Sequence, residues 1–324
     1  MRVLVTGGAG FLGSHLCDAL LARGDEVVCL DNLCTGSLDH IAHLRRAAGF
    51  TFVQADVCSA PALPMTFDAI AHLACPASPP DYLRLPLETL QIGSRGAEFV
   101  LSLAERDGCR VLISSTSEVY GDPHVHPQPE SYWGNVNPIG PRSVYDESKR
   151  YSEALFAAYR RARDVNAGIV RIFNTYGPRL RPHDGRVVSN FIAQALAGEP
   201  LTIYGTGEQT RSFCYVSDLI SGLLAALDSD VPGPVNLGNP TEVTVRQLAD
   251  LVLAITESDS ELVTMPLPQD DPTTRKPDIT LANELFGWQP QVSLRTGLHH
   301  TIAWQRGLTV DRDLDQLVSA RQTA

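Results

Sequence analysis

The chain has 324 residues, with 24 Arg and only two Lys (Lys149 and Lys276) against 37 Asp plus Glu, and a formal net charge of −11. That balance excludes nucleic-acid binding by bulk charge, which needs a basic face. An apolar fraction of 44% with 19% charged residues excludes a disordered chain and permits a sizeable core.

From the start, Met1-Arg2 leads directly into an apolar run, so no cleavable signal is expected. No stretch approaches the ~20 apolar residues of a membrane helix. Strands are expected at Arg2–Thr6, Glu26–Leu30, Thr51–Gln54, Ala69–Leu73, Arg110–Ser115 and Gly168–Phe173. Helices are expected between them at Gly13–Ala22, Pro86–Glu105 and Val144–Arg163. Unalternating Val- and Ile-rich strands separated by helices indicate a parallel sheet covered on both faces. After about residue 174 Pro and Gly become frequent, with helices expected at Val188–Ala197, Val216–Leu227 and Val245–Ile255. The fold class expected is α/β: a Rossmann-type doubly wound parallel sheet over 1–174, then a smaller C-terminal α/β substrate domain over 175–312. Strand segments near 213–238 are free to return to the first domain, and 313–324 reads as a tail. The seven cysteines form no C-x-x-C pair, which argues against a metal site or disulfide framework and for a reducing, cytoplasmic setting.

Thr6-Gly-Gly-Ala-Gly-Phe-Leu-Gly13 follows the first strand and opens a helix. Gly7 permits the turn, Gly10 lets a pyrophosphate approach the backbone, and Gly13 packs helix on strand, with Phe11 and Leu12 in the same loop. Asp31, 18 residues beyond Gly13, ends the second strand where a carboxylate would bind ribose hydroxyls, with Asn32 beside it. Asp31 would repel a 2′-phosphate, so NAD is expected over NADP. Asp56-Val57 and Leu73-Ala74, after the third and fourth strands, would line the adenine and ribose side.

Tyr145-Asp-Glu-Ser-Lys149 places a tyrosine and one of the two lysines on one helical face. An ammonium beside a phenol favours its ionised form, so Lys149 is expected to lower the Tyr145 pKa and make it a base. Thr116, 29 residues upstream at a strand end, can hydrogen-bond the same substrate hydroxyl. The pair would remove an alcohol proton while hydride passes to nicotinamide.

Longer segments add to this: Ala77-Ser-Pro-Pro-Asp-Tyr82, Ser115-Thr-Ser-Glu-Val-Tyr-Gly-Asp122, Tyr132-Trp-Gly-Asn-Val-Asn-Pro-Ile-Gly140, Asp184-Gly-Arg-Val-Val-Ser-Asn-Phe191 and Gln269-Asp-Asp-Pro-Thr-Thr-Arg-Lys-Pro-Asp278. With them the chain resembles, over nearly its whole length, the extended short-chain dehydrogenase/reductase family of nucleotide-sugar enzymes, closest to its UDP-glucuronate-decarboxylating branch. The branch rests on Ser117-Glu118 after Thr116, where the 4,6-dehydratases are expected to carry Asp-Glu and the 4-epimerases small or apolar residues. The resemblance implies C4 oxidation of UDP-glucuronate by NAD⁺, loss of carbon dioxide from the resulting β-keto acid, and C4 re-reduction to UDP-xylose. UDP-sugar 4-epimerase or 4,6-dehydratase chemistry is the alternative on this fold.

By the same resemblance Ser117 and Glu118 handle protons and position the carboxylate, and Arg275 holds the sugar ring or its carboxylate. Pro79 and Tyr82 fall on the sugar side, and Asn174 reaches the diphosphate. Arg186, Val188 and Asn190 lie in the nucleotide segment, Tyr204 packs on uracil, and Arg211 offers a forked donor set to phosphate. From Arg142 to Arg211 the chain holds 11 basic and 7 acidic residues, a local +4 that suits an anionic substrate. A homodimer is implied, through the helix of Tyr145 and the long helix before it.

One segment departs from the family. Glu88-Thr-Leu-Gln-Ile-Gly93 stands where K-T-L-K-T-N is expected, removing two lysines and replacing a helix asparagine of the proton relay by Gly93. Release of some UDP-4-keto-pentose is the expected consequence.

Overall fold

The structure, a computed structural model, describes residues 1–59, 63–267, 270 and 272–307. Gln269 and Asp271 of the last motif, and the tail expected at 313–324, lie outside the described residues.

The first half alternates strand and helix as its pattern requires. β1 (Arg2–Thr6) leads through the glycine loop to α1 (Phe11–Ala22), and β2 (Glu26–Asp31) and β3 (Phe50–Gln54) follow. Next come β4 (Ala69–His72), α2 (Pro79–Arg84), α3 (Pro86–Gln91) and α4 (Ala97–Asp107). β5 (Arg110–Thr116), α5 (Ser143–Arg163) and β6 (Ala167–Ile172) complete this run. The strands lie in the order β3-β2-β1-β4-β5-β6, and every pairing among them is parallel. Between β1 and β4 the direction of strand addition reverses. That switch point opens a crevice at the carboxyl ends of the strands, where ligands bind in doubly wound sheets.

The second half is built from shorter pieces. β7 (Thr175–Tyr176), α6 (Val187–Ala197), β8 (Leu201–Tyr204), β9 (Thr210–Ser212) and β10 (Cys214–Tyr215) precede α7 (Val216–Leu227). β11 (Val235–Leu237), β12 (Glu242–Thr244), α8 (Val245–Thr256), β13 (Leu262–Met265) and β14 (Thr274–Arg275) come next, and α9 (Thr280–Phe286) and α10 (Leu294–Gln305) end the described chain. β11 pairs in parallel with β6, Val235 opposite Val170, and so becomes the seventh strand of the large sheet. β9 carries β12 antiparallel on one side and β14 parallel on the other, with Arg275 opposite Arg211.

Apolar side chains close both faces of the sheet. One face is packed by Leu16 and Leu20 of α1 with Leu219 and Leu223 of α7. The other is packed by Val100 and Leu101 of α4 with Phe156 of α5. Strands buried on both sides need no polar alternation, which is why β1 reads Val-Leu-Val-Thr and leaves all four of those residues buried. The rod expected over Pro86–Glu105 is interrupted: residues Ile92–Gly96 form a π-turn between α3 and α4. Within it Gly93 lies against Ser148 of α5, closer than any side chain would permit, while Gly96 faces Val57.

Candidate active site

A cavity of about 880 Å³ runs along the switch-point crevice and on between the sheet and the second half of the chain. All the site residues expected from sequence line it, from Gly7, Asp31 and Asp56 at one end to Tyr204, Arg211 and Arg275 at the other.

At the first end the wall is backbone. Gly7 adopts φ +71°, and a Cβ there would lie 2.7 Å from Ala74 N. A Cβ on Gly13 would lie 2.1 Å from Gly7 O. α1 begins at Gly10 with no side-chain cap, so its first N–H groups meet the cavity with no side chain to satisfy them. An uncapped helix start beside a cradle too tight for any Cβ fits the pyrophosphate of a dinucleotide. Asp31 is buried and accepts from the amides of Ala9 (3.0 Å) and Leu33 (2.7 Å). Burial raises its pKa against those two bonds. Asn32 Nδ2 donates to Asp56 Oδ2 (2.9 Å), joining the ends of β2 and β3 on the adenosine side.

In the middle, β5 delivers Thr116 and α5 delivers Tyr145 and Lys149, all buried. The Tyr145 phenol is hydrogen-bonded to Thr116, and its ring stacks on Tyr82 with centroids 5.2 Å apart and planes at 11°. Lys149 Nζ donates to Ser114 O at 2.8 Å and lies 5.8 Å from the Tyr145 ring centroid. Here the structure corrects the expected pKa. Burial, followed by the nearby Cys75 thiol, pushes the Tyr145 phenol well above its ordinary value, while the Thr116 hydrogen bond and Arg186 pull it down. Lys149 is committed to a strand carbonyl, and the dry setting of the phenol outweighs the neighbouring cations.

At the far end Glu118 sits between two guanidinium groups. Its Oε2 accepts from Arg142 at 2.6 Å and from Arg275 at 3.2 Å. Arg275 also donates to Ser117 O, and its Nε is buried without a hydrogen-bond partner. Burial works to raise the Glu118 carboxyl, but Arg275 and then Arg142 outweigh it and hold the pKa at about 2. The neighbouring Asp146 moves the other way. Burial and then repulsion from Glu118 lift it to about 8, against Arg142 and Arg275, and its Oδ1 is buried without a partner.

The nucleotide segment shows two differences from expectation. The Arg211 fork reaches the carbonyls of Thr210 (2.9 Å), Thr273 (3.2 Å) and Pro272 (2.6 Å), so it tethers the strand bearing Arg275. Arg186 donates to Ala77 O at 2.9 Å and pairs with Asp184 at 3.3 Å. Tyr204 lies on the cavity rim, 43% exposed.

Sequence reading missed Arg142. It stands three residues before Tyr145, next to the first turn of the same helix, and that i, i+3 spacing was the available signal. It also missed the chain Asp81–Arg181–Asp184, which joins α2 to the loop before α6 across the cavity mouth. No local spacing announces a contact between residues a hundred positions apart.

Known proteins resemble this chain in sequence and in fold. The model of the NAD dependent epimerase/dehydratase family matches residues 3–238. UDP-glucuronic acid decarboxylase 1 of Xenopus tropicalis is 52% identical over 305 residues, covering 94% of this chain and 72% of that protein. UDP-glucuronic acid decarboxylase 6 of Arabidopsis thaliana is 52% identical over 299 residues, 92% of this chain and 87% of that one. Among solved structures, a point mutant of UDP-glucuronic acid 4-epimerase from Bacillus cereus, in complex with UDP-4-deoxy-4-fluoro-glucuronic acid and NAD, superposes with a TM-score of 0.85. It is 28% identical and covers 95% of this chain and 99% of that one.

Proposed function

The chain belongs to the NAD dependent epimerase/dehydratase family, and on that footing we propose that it decarboxylates UDP-glucuronate to UDP-xylose. The observation that carries this reading is the position of Glu118, Arg142 and Arg275 in the same cavity as Thr116, Tyr145 and Lys149. An alcohol base alone would serve any 4-oxidation. A pair of arginines beside it suits a substrate that carries a carboxylate two carbons away.

Bound NAD⁺ supplies the hydride acceptor for C4 and returns the hydride at the end. Tyr145 would take the C4 hydroxyl proton and later give it back, a role that needs the positive charge of bound NAD⁺ to offset the burial that raises its phenol, while Thr116 fixes the oxygen on which this happens. Lys149, anchored on Ser114 O, holds positive charge beneath that proton transfer. Once C4 is a ketone, the C6 carboxylate is β to it and its bond electrons flow into the C4 enolate as carbon dioxide leaves. Arg275 orients that carboxylate, and Ser117 with Glu118 handles the proton that C5 then gains. The Asp81–Arg181 pair across the mouth supports retention of the ketone, and the Glu88 and Gln91 substitutions act against it.

A homodimer belongs to this reading. Leu83, Leu87, Leu90 and Tyr151, on α2, α3 and α5, are between 41% and 67% exposed, a group of apolar side chains suited to a partner surface. Seven free cysteines agree with a reducing, cytoplasmic setting.

The decisive experiment incubates pure protein with UDP-glucuronate and NAD⁺ and follows carbon dioxide and nucleotide-sugar masses. UDP-xylose and carbon dioxide are expected, with a minor mass for the 4-keto-pentose. A product isobaric with substrate and no carbon dioxide would make the protein an epimerase and overturn the assignment.

A further inference from the structure

The buried residues of α5 are largely polar: Tyr145, Asp146, Ser148, Lys149 and Ser152, with Phe156 beyond them. Tyr145 and Lys149 line the cavity, whereas Ser148 and Ser152 turn to the neighbouring helix instead. Ser148 Oγ donates to Thr89 O at 2.8 Å. Ser152 Oγ lies 2.7 Å from Gly93 O and 2.9 Å from Ser148 O. The accepting carbonyls belong to α3 and to the π-turn of Ile92–Gly96, a kind of irregularity that recurs at functional sites.

Gly93 makes this contact possible. A Cβ there would fall 2.1 Å from Ser148 Oγ and 2.6 Å from Ser148 O, so any side chain at 93 must push the two helices apart. The space that a larger residue would take is filled by the Ser148 hydroxyl. Gly93 is therefore the socket for a serine that sits between the two catalytic positions, rather than a simple loss of an asparagine.

We propose that Gly93, Ser148 and Ser152 key α5 to the π-turn, and that Ser148 and Ser152 are positioning residues for Tyr145 and Lys149. The proposal rests on the reading of Tyr145 as the base. A phenol acts only within hydrogen-bond reach of the hydroxyl it deprotonates. A helix displaced by about 1 Å forfeits up to about a hundredfold in rate. The key sets both side chains at once, because Tyr145 and Lys149 lie within one turn of Ser148 on the same helix.

The test compares Gly93→Ala, Ser148→Ala, Ser152→Ala and the double variant Gly93→Ala/Ser148→Gly with the parent. Hydrogen–deuterium exchange over residues 143–152, kcat and KM for UDP-glucuronate, and the pH profile of kcat are read for each. Gly93→Ala should lower kcat by about tenfold or more with KM within about twofold, shift the pH profile, and speed exchange in α5. Adding Ser148→Gly should recover part of the rate, since it removes the closest obstacle. Should Gly93→Ala fail to fold, Ser148→Ala and Ser152→Ala remove hydrogen bonds without adding atoms, and a drop of about threefold in kcat with faster exchange is expected.

Parental kcat and pH profile in Gly93→Ala would overturn the proposal, as would no recovery in the double variant. A lowered melting temperature with an unmoved pH profile would reduce the serines to packing and overturn it equally. If the parent releases no carbon dioxide from UDP-glucuronate, the proposed function falls, while the exchange rates still decide whether the key exists.

Discussion

At its cofactor end the cavity is walled by backbone: Gly7, Gly13 and the uncapped first turn of α1, all within eight residues of chain. At its sugar end it is walled by charged side chains from four distant segments, Glu118 after β5, Arg142 before α5, Arg186 before α6 and Arg275 in β14. The two ends fail differently. A backbone wall tolerates no added atom but depends on no partner's charge. A side-chain wall tolerates changes of shape but leaves a charge stranded whenever one partner goes.

The sharpest test falls between the ends. Tyr145→Phe should lower kcat by about 10²–10⁴ while NAD still binds, as followed by nucleotide fluorescence. Full activity in that variant would remove the base from Tyr145. Next comes the side-chain wall. Arg275→Ala leaves Glu118 with Arg142 as its one remaining guanidinium, so the loss should fall below the about 3–5 kcal/mol of a fully stranded buried charge, and denaturant unfolding would register it. Combining it with Glu118→Gln should recover much of that loss without restoring turnover. An additive double variant would show that Glu118 and Arg275 do not compensate one another. For the backbone wall, Gly13→Ala forces a Cβ against Gly7 O and should cost about 1–3 kcal/mol, with weaker NAD binding and no change in the charge cluster's pH response.

That pH response has two opposed parts. Glu118 keeps its charge in the fold down to about 2 against an ordinary 4.5. Its contribution is therefore complete above about 4.5 and is lost as pH falls towards 2. Asp146 holds its proton in the fold up to about 8 against an ordinary 3.8, so folding takes up a proton and stability declines as pH rises across that window. Thermal unfolding against pH should show Asp146→Asn flattening the decline above pH 4 and Glu118→Gln flattening the acid loss. Smallest of all, Arg181→Ala removes a pair whose arginine is 40% exposed, and should cost no more than about 1 kcal/mol. Its effect should shrink in high salt.

The same contrast explains what could be read from the residues alone. The glycine loop and Asp31 were legible because phosphate binding by backbone demands particular spacings over a short stretch. Strand and helix positions of the large sheet followed from runs of Val and Ile, to within a residue or two at most boundaries, whereas β8, β9 and β12–β14, two to four residues each, are too short to show a period. The sugar end was legible only through resemblance, since nothing local in Arg275 says that it meets Glu118. Arg142 was missed although it precedes Tyr145 by a single turn. The sign of the Tyr145 shift was missed because burial depends on what the rest of the chain covers. The π-turn, too, follows from a contact between Gly93 and Ser148 that lies 55 positions apart.

The seventh strand of the main sheet has a consequence for how the protein is made. β6 is complete at Ile172, but β11, the strand that pairs with it, begins at Val235. While the ribosome adds the intervening sixty or so residues, β6 presents an open edge of unpaired amides and carbonyls, the kind of edge that recruits other chains. Arg275 emerges later still, so a nascent chain assembles its dinucleotide cradle well before it can hold a sugar acid. Truncation anywhere between 173 and 234 should therefore yield a protein that retains the glycine loop yet aggregates.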